Sequence, residues 1–314
     1  MNILRHTENV GMWMNGYITN PISAIIYING YARRHYIEID IDRYKIIINE
    51  LFDNMKCKSV IIDGYEPMLH KDIIDILSIP LDKGMQVALV TGNIEIDDTI
   101  SRTLVKSCNM IIFRCEGVSP CKSITELSSK KLTSNMSLVI RWRYNPDAML
   151  IDIINFFDQY IIPHRIDFIQ IVPHITDDIN KIPKFEDLDQ FRSVMRAIFK
   201  GNENKFQFIG FDDIGKEGFG RCYERCHGGN FIICIGADGF VYPCQHYIGI
   251  RSYILGNYIN HSIESIWEGK LHQQFTEGFN VRGCIPICCF HDMNNMLEII
   301  NKPLLNENII AMEM

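Results

Sequence analysis

The chain has 314 residues, 47% hydrophobic and 22% charged, with a formal net charge of −7 and a pI near 5.8. That balance suits a globular protein of one large domain, or of one domain plus a smaller module. It argues against a general binder of nucleic acid or anionic membrane. The apolar runs, such as Ile22–Ile28, are far shorter than the roughly 20 residues a spanning helix needs, and residues 1–20 do not read as a secretory signal. The expectation is a cytoplasmic protein, in which clustered cysteines read as metal ligands before disulfides.

The predicted elements alternate. Ser23–Ile28 reads as a buried strand. A helix follows from Asp40 or Asp42 to Met55, with the stripe Tyr44, Ile47, Ile48, Leu51, Phe52, Met55. Next come a strand Ser59–Ile62, a turn Asp63-Gly64-Tyr65-Glu66-Pro67, a helix His70–Ser78 and a strand Gln86–Val90. The series continues with a helix Asp97–Ser107, a strand Met110–Phe113 and a helix Ser123–Leu132. It closes with a strand Leu138–Trp142, a helix Ala148–Tyr160 and a strand Asp167–Val172. Short, wholly apolar strands alternating with helices predict a parallel sheet covered by helices, either doubly wound or a partial barrel. A further helix is predicted within Lys184–Lys200. From about residue 215 the chain is rich in Gly and Cys, and Phe231–Ile235 and Phe240–Tyr242 flank an Asp238-Gly239 hairpin turn. The predicted organisation is an extension over 1–20, an α/β domain over 21–214 and a cysteine-rich module over 215–314.

Of the 11 cysteines, Cys57, Cys108, Cys115 and Cys121 are scattered and read as small buried hydrophobes. Cys222, Cys226, Cys234, Cys244, Cys284, Cys288 and Cys289 crowd the last third. Cys234, mid-strand between Ile233 and Ile235, also reads as core. The others pair a C-x3-C step, a cysteine closing a hairpin and a distant returning group. Thiolates so arranged suit an iron–sulfur cluster or zinc. Cys288 and Cys289 are adjacent and point in different directions, so one of the two is the expected ligand.

Cys226, Gly239 and Cys244, spaced C-x12-G-x4-C, resemble the opening of the SPASM and twitch modules that end many radical-SAM enzymes. So do the words Ala237–Cys244, Tyr253–Asn257 and Ser262–Trp267. The resemblance implies auxiliary iron–sulfur binding by Cys222, Cys226 and Cys244 with one of Cys284, Cys288 or Cys289. Only these three cysteines stand where the full module has a longer run, so the pattern is closer to the one-cluster twitch variant. The first two-thirds resembles the radical-SAM core, a partial (β/α)6 TIM-like barrel. Gly64-Tyr65-Glu66-Pro67 is similar to the family's G-G-E-P, which holds the amino group of S-adenosylmethionine, with Tyr65 in place of a glycine. Thr91-Gly92-Asn93 is similar to its T-N-G.

One departure bears on mechanism. After its first strand the family carries C-x3-C-x2-C. Here those slots fall on Gly30, Arg34 and Ile37, and no cysteine lies between residues 1 and 56. None of the three side chains can ligate iron. The reading that follows is a degenerate family member without the radical-generating cluster, for which S-adenosylmethionine cleavage is not expected. It would bind a peptide or small-molecule substrate, or an active radical-SAM partner, within peptide modification or small-molecule biosynthesis. It would carry one [4Fe-4S] cluster, with Gly64 and Glu66 as a remnant of the cofactor site. Two alternatives stay open: an enzyme with non-radical chemistry at the barrel mouth, and a zinc-stabilised binding scaffold. Arg33 and Arg34 at that mouth are candidate ligands for a carboxylate or phosphate. Arg141 and Arg143, on one face of a strand, would need an anionic partner if they point inward.

Overall fold

A computed structural model of the chain describes residues 6–32, 35–92, 94–116, 122–131, 135–144, 150–173, 207–209, 223–281 and 290–301. It also describes positions 193, 196–198, 200–202, 284 and 288. The helices named below are α1 Thr7–Met14, α2 Ile41–Asn49, α3 Ile73–Asp82, α4 Asp98–Ser107, α5 Lys122–Lys130, α6 Leu150–Phe156, α7 Ile263–Trp267, α8 Lys270–Gly278 and α9 His291–Asn301. The strands are β1 Ser23–Ala32, β2 His35–Glu38, β3 Ser59–Gly64, β4 Gln86–Thr91, β5 Met110–Glu116, β6 Ser137–Tyr144, β7 Phe168–Pro173, β8 Gln207–Ile209, β9 Ile232–Ile235, β10 Phe240–Tyr242 and β11 Gly256–Asn257.

One sheet runs in the order β11-β10-β9-β1-β3-β4-β5-β6-β7-β8, with β2 folded back onto β1. From β9 through β1 to β8 every neighbouring pair is parallel. Strands covered on both sides must be apolar on both faces. That is why β1 buries both Ile25 and Ile26, and β9 buries all four of its residues. Helices wrap the outside. Asp40 caps α2 by accepting from the amides of Asp42 (2.9 Å) and Arg43 (3.3 Å), which frees Tyr44, Ile47 and Ile48 to cover the sheet. The helix continues as a π-turn over Glu50–Asn54.

Inside the sheet's curve, Val90, Ile112 and Val139 pack with Ile61, Met110 and Phe168. One step further toward the C-terminal strand ends, the inward row becomes polar. Arg114 on β5 is in register with Arg141 on β6, which is in register with Gln170 on β7. Apolar side chains thus fill the floor, and the mouth is charged.

Two features differ from the sequence reading. β8 adds a strand to the six expected; three residues are too few to show a periodicity. β1 runs past its predicted end at Ile28 to Ala32, and β2 returns antiparallel, with Gly30 opposite Ile37 and Ala32 opposite His35. Arg33 and Arg34 lie outside the described residues, as do the boundary at 215 and most of the predicted 184–200 helix.

The module is joined to the barrel by backbone. β9 pairs with β1, Ile25 opposite Cys234. Glu50 accepts from the Glu264 amide at 3.0 Å, next to the Ser262 cap of α7. The N-terminal segment closes the join. Trp13 on α1 lies edge-on to His227 and Phe231, and the Trp267 indole donates to the Thr19 carbonyl at 2.7 Å.

Candidate metal centre and barrel mouth

The hairpin β9–β10 places the thiols. Its turn needs Gly239, which has φ +90; a Cβ there would also stand 2.8 Å from Ile259 Cδ1. Cys244 follows β10 in extended conformation and is buried, as is Cys226. Cys284 and Cys288 are half-buried. The four gather in one region. Burial and then the neighbouring Cys288, Cys244 and Cys284 push the Cys226 thiol well up. Thiolates this close would repel one another, and a bound metal group relieves that by replacing the protons and sharing the charge.

Asn294 on α9 organises this set. It is fully buried. Its Nδ2 faces both Cys226 Sγ and Cys288 Sγ at 4.0 Å, and its Oδ1 accepts from the Gly228 amide at 2.7 Å. The amide of Phe290 donates to Cys288 Sγ at 3.3 Å. Tyr247 Oη is buried and lies beside Cys284, the acceptor within its reach. A thiolate at Cys284 would accept from that hydroxyl more strongly than the thiol does. The donors therefore fit a thiolate-held group. Among the described residues no three Cys, His, Asp or Glu side chains are close enough together for a single ion.

Of the expected ligands, Cys226, Cys244, Cys284 and Cys288 are brought together, while Cys222 and Cys289 lie outside the described residues. Cys234 is fully buried beside Cys244 and Asp63. Cys57, Cys108 and Cys115 are buried elsewhere, and burial pushes the Cys57 and Cys108 thiols up to about 12. Asn294 and Tyr247 were not legible as site residues. An isolated Asn in an amphipathic helix carries no signal, and Asn294 is marked only by its place one turn beyond the cysteines.

At the mouth, Gly64 has φ +152, and a Cβ there would stand 2.5 Å from Asn29 Oδ1. Asn29 pins the turn, donating to the Glu66 carbonyl at 2.7 Å and accepting from the Glu66 amide at 3.2 Å. The Glu66 carboxylate is engaged within the fold. Oε1 accepts from Thr91 Oγ1 (2.6 Å) and the Met68 amide (3.2 Å), and Oε2 from the Gly92 amide (2.6 Å). Arg114 lies 3.7 Å from Oε2, 3.5 Å from Asp63 Oδ1, and donates to the carbonyls of Gly64 and Tyr65. Asp63 is buried, and burial holds its carboxyl above the usual range against the pull of Arg114 and Arg141. Tyr27 is held well up by burial and by Asp63. Arg141 points inward, and its hydrogen-bond partner is the neutral Gln170, Nε to Oε1 at 2.8 Å. Two guanidiniums thus meet two buried carboxylates here, Asp63 in the inward row and Glu66 at its edge. Arg33, Arg34 and the Arg143 side chain lie outside the described residues.

This architecture is shared with known proteins. Residues 226–290 match the family model of SPASM, an iron–sulfur cluster-binding domain. SuiB of Streptococcus suis, solved with S-adenosylmethionine, is similar in fold: TM-score 0.67 and 16% identity over 88% of this chain and 72% of that one. SuiB bound to its precursor peptide SuiA gives 0.64 and 16%, over 86% and 70%. The anSMEcpe protein with bound AdoMet and the Cp18Cys peptide gives 0.62 and 14%, over 88% of each chain. No curated protein matches the chain. The chain has the radical-SAM-type α/β barrel fold, and its C-terminal module matches a family described as an iron–sulfur cluster-binding domain. Among the described residues, no helix is long and apolar enough to cross a membrane.

Proposed function

We propose that the chain is a radical-SAM/SPASM-type protein without the radical-generating cluster, acting as a substrate- or partner-binding accessory in peptide modification or small-molecule biosynthesis. The observation that carries this is the segment after β1. It holds no thiol in any register up to residue 56, and β2 folds back there as a strand. Glu66 supports it, because both carboxylate oxygens already accept hydrogen bonds from the protein. SuiB, similar in fold, is known with a precursor peptide, which favours a peptide as the ligand here.

One [4Fe-4S] cluster is proposed for the module, with ligands drawn from Cys226, Cys244, Cys284 and Cys288 and with Cys222 and Cys289 as further candidates. Bound there, it would supply a rigid, redox-active anchor between α9 and the hairpin β9–β10. The residues around it have defined tasks. Asn294 orients two thiolates and Tyr247 donates to a third. In the barrel, Arg114 and Arg141 would bind a ligand's carboxylate, with Gln170 fixing the Arg141 plane.

The test is iron, sulfide and zinc per chain on anaerobically purified protein, with S-adenosylmethionine cleavage assayed alongside. About four irons and four sulfides, lost in Cys226→Ala and Cys244→Ala, and no 5′-deoxyadenosine, are expected. Two clusters' worth of iron, or cofactor cleavage, refutes the reading. One zinc without sulfide leaves a structural scaffold instead.

A further inference from the structure

A second recess has none of the thiols in its lining. It has a volume of about 790 Å³ and separates β2 and the start of α2 from the hairpin β9–β10. Ile37, Glu38 and Arg43 form one wall; Phe240, Tyr258 and Arg251 belong to the other. The volume is in the range of ligand clefts, roughly 300–1,000 Å³. Ile259 borders it at 56% exposure, an apolar surface left to solvent.

The cleft presents a strand edge. Ile39 donates to the Ile28 carbonyl at 2.8 Å, and the register then alternates, so Gly30 and Ile37 bond to each other while Glu38 opposes Asn29 without bonding. The Glu38 amide and carbonyl therefore point away from β1. Among the described residues no strand pairs with that side of β2. An exposed edge of this kind is a template for an added strand.

The charges select the occupant. Asp40 is engaged in capping α2. Asp238 accepts from the Tyr242 hydroxyl at 2.5 Å and the Phe240 amide at 3.3 Å. Glu38, Asp40 and Asp238 all line the cleft, but Arg43 and Arg251 have no carboxylate within ion-pairing distance among the described residues, so each guanidinium is open to an acidic group that reaches it directly.

We propose that this cleft binds an extended peptide, added as a strand to β2, whose acidic side chain meets Arg43 and Arg251 while its apolar side chains cover Phe240 and Ile259. The inference rests on the peptide-binding part of the reading above and makes that ligand acidic. Its test is selection of a displayed random-peptide library on the whole protein, with affinities then measured on synthetic copies of the enriched peptides. Enriched sequences should alternate acidic and apolar residues. Their affinity should fall about tenfold in the Arg43→Gln/Arg251→Gln double variant. It should fall by a similar factor in Glu38→Pro, which removes the outward amide but leaves the bonds to β1. That loss would occur although the substitution also removes a negative charge. No enrichment, or neutral or basic peptides, or peptides that bind the variants as well as the parent, overturns the proposal. Iron content and unfolding midpoint, measured on the same variants, report folding and the cluster independently. A missing cluster would thus sink the earlier reading without touching this one.

Discussion

Glu66→Ala tests whether the Gly64–Pro67 turn is held by the fold or kept open for a ligand. The carboxylate accepts from Thr91, Gly92 and Met68 and lies 3.7 Å from Arg114. A hydrogen bond to a charged group contributes about 1.5–3 kcal/mol. Thr91 is fully buried and loses its partner outright, whereas the Gly92 and Met68 amides can recover part of theirs from water. Among the described residues, Arg114 would be left with Asp63 as its only carboxylate. The net loss should be about 3–5 kcal/mol. Glu66→Gln keeps one acceptor oxygen but turns an N–H toward a donor, and should lose about 1–2 kcal/mol. Urea unfolding followed through the fluorescence of the buried Trp142 measures both. A Glu66→Ala loss below about 1 kcal/mol would refute the internal role and return the carboxylate to ligand binding.

Further outcomes follow from other residues. Gly239→Ala places a side chain at φ +90 against Ile259 and should destabilise by about 1–3 kcal/mol, read as a lowered urea midpoint. Asn294→Leu leaves the Gly228 amide without its acceptor and removes the donor facing Cys226 and Cys288. Stability should fall by about 1–3 kcal/mol, and the cluster potential measured by redox titration should become more negative, since hydrogen bonds to sulfur favour the reduced state. His272 is buried, and burial holds its imidazole below 6.5 although both nitrogens face carbonyls. The unfolded chain then binds a proton near pH 6.5 that the folded chain refuses. Its contribution is complete above pH 6.5 and is lost as pH falls toward the folded value, at up to about 1.4 kcal/mol per pH unit. His272→Gln should flatten that part of the pH–stability curve, and an unchanged slope would exclude His272 as its source.

The strands of the barrel were legible because burial on both faces demands continuous apolar runs, and each predicted run from Ser23 to Val172 falls on a strand. What was not legible depends on contacts distant in sequence. β2 contains His35, Tyr36 and Glu38, three polar or half-polar residues in four, and becomes a strand by pairing with the end of β1. β8 is three residues long. The thiols could be named from spacing, but Asn294 could not, because its role depends on α9 returning against the loop of Cys226. Glu66 was visible as a motif, yet its partners Thr91, Gly92 and Arg114 come from two other strands and the turn beyond one of them.

The pairing of β9 with β1 bears on how the two halves can work together. β1 is a shared wall: β3 lies on one side, β9 on the other, and β2 at its end. Asn29, which pins the Glu66 turn, sits three residues beyond the last β9 pairing at Ile26. Cys234, opposite Ile25, touches the field of both Cys244 and Asp63. A displacement of the thiols would therefore have to pass through a parallel ladder of buried residues before it reached the mouth. Packed sheets resist small continuous strains. The module is better placed to fix the barrel's shape than to slide against it, and removing its metal should loosen the mouth as well as the hairpin. Hydrogen exchange at the amides of Tyr65 and Gly92, compared between the metal-loaded and chelated protein, measures this. Faster exchange at both after chelation is the expected result. Changes confined to residues beyond 223 would show that β1 insulates the two halves.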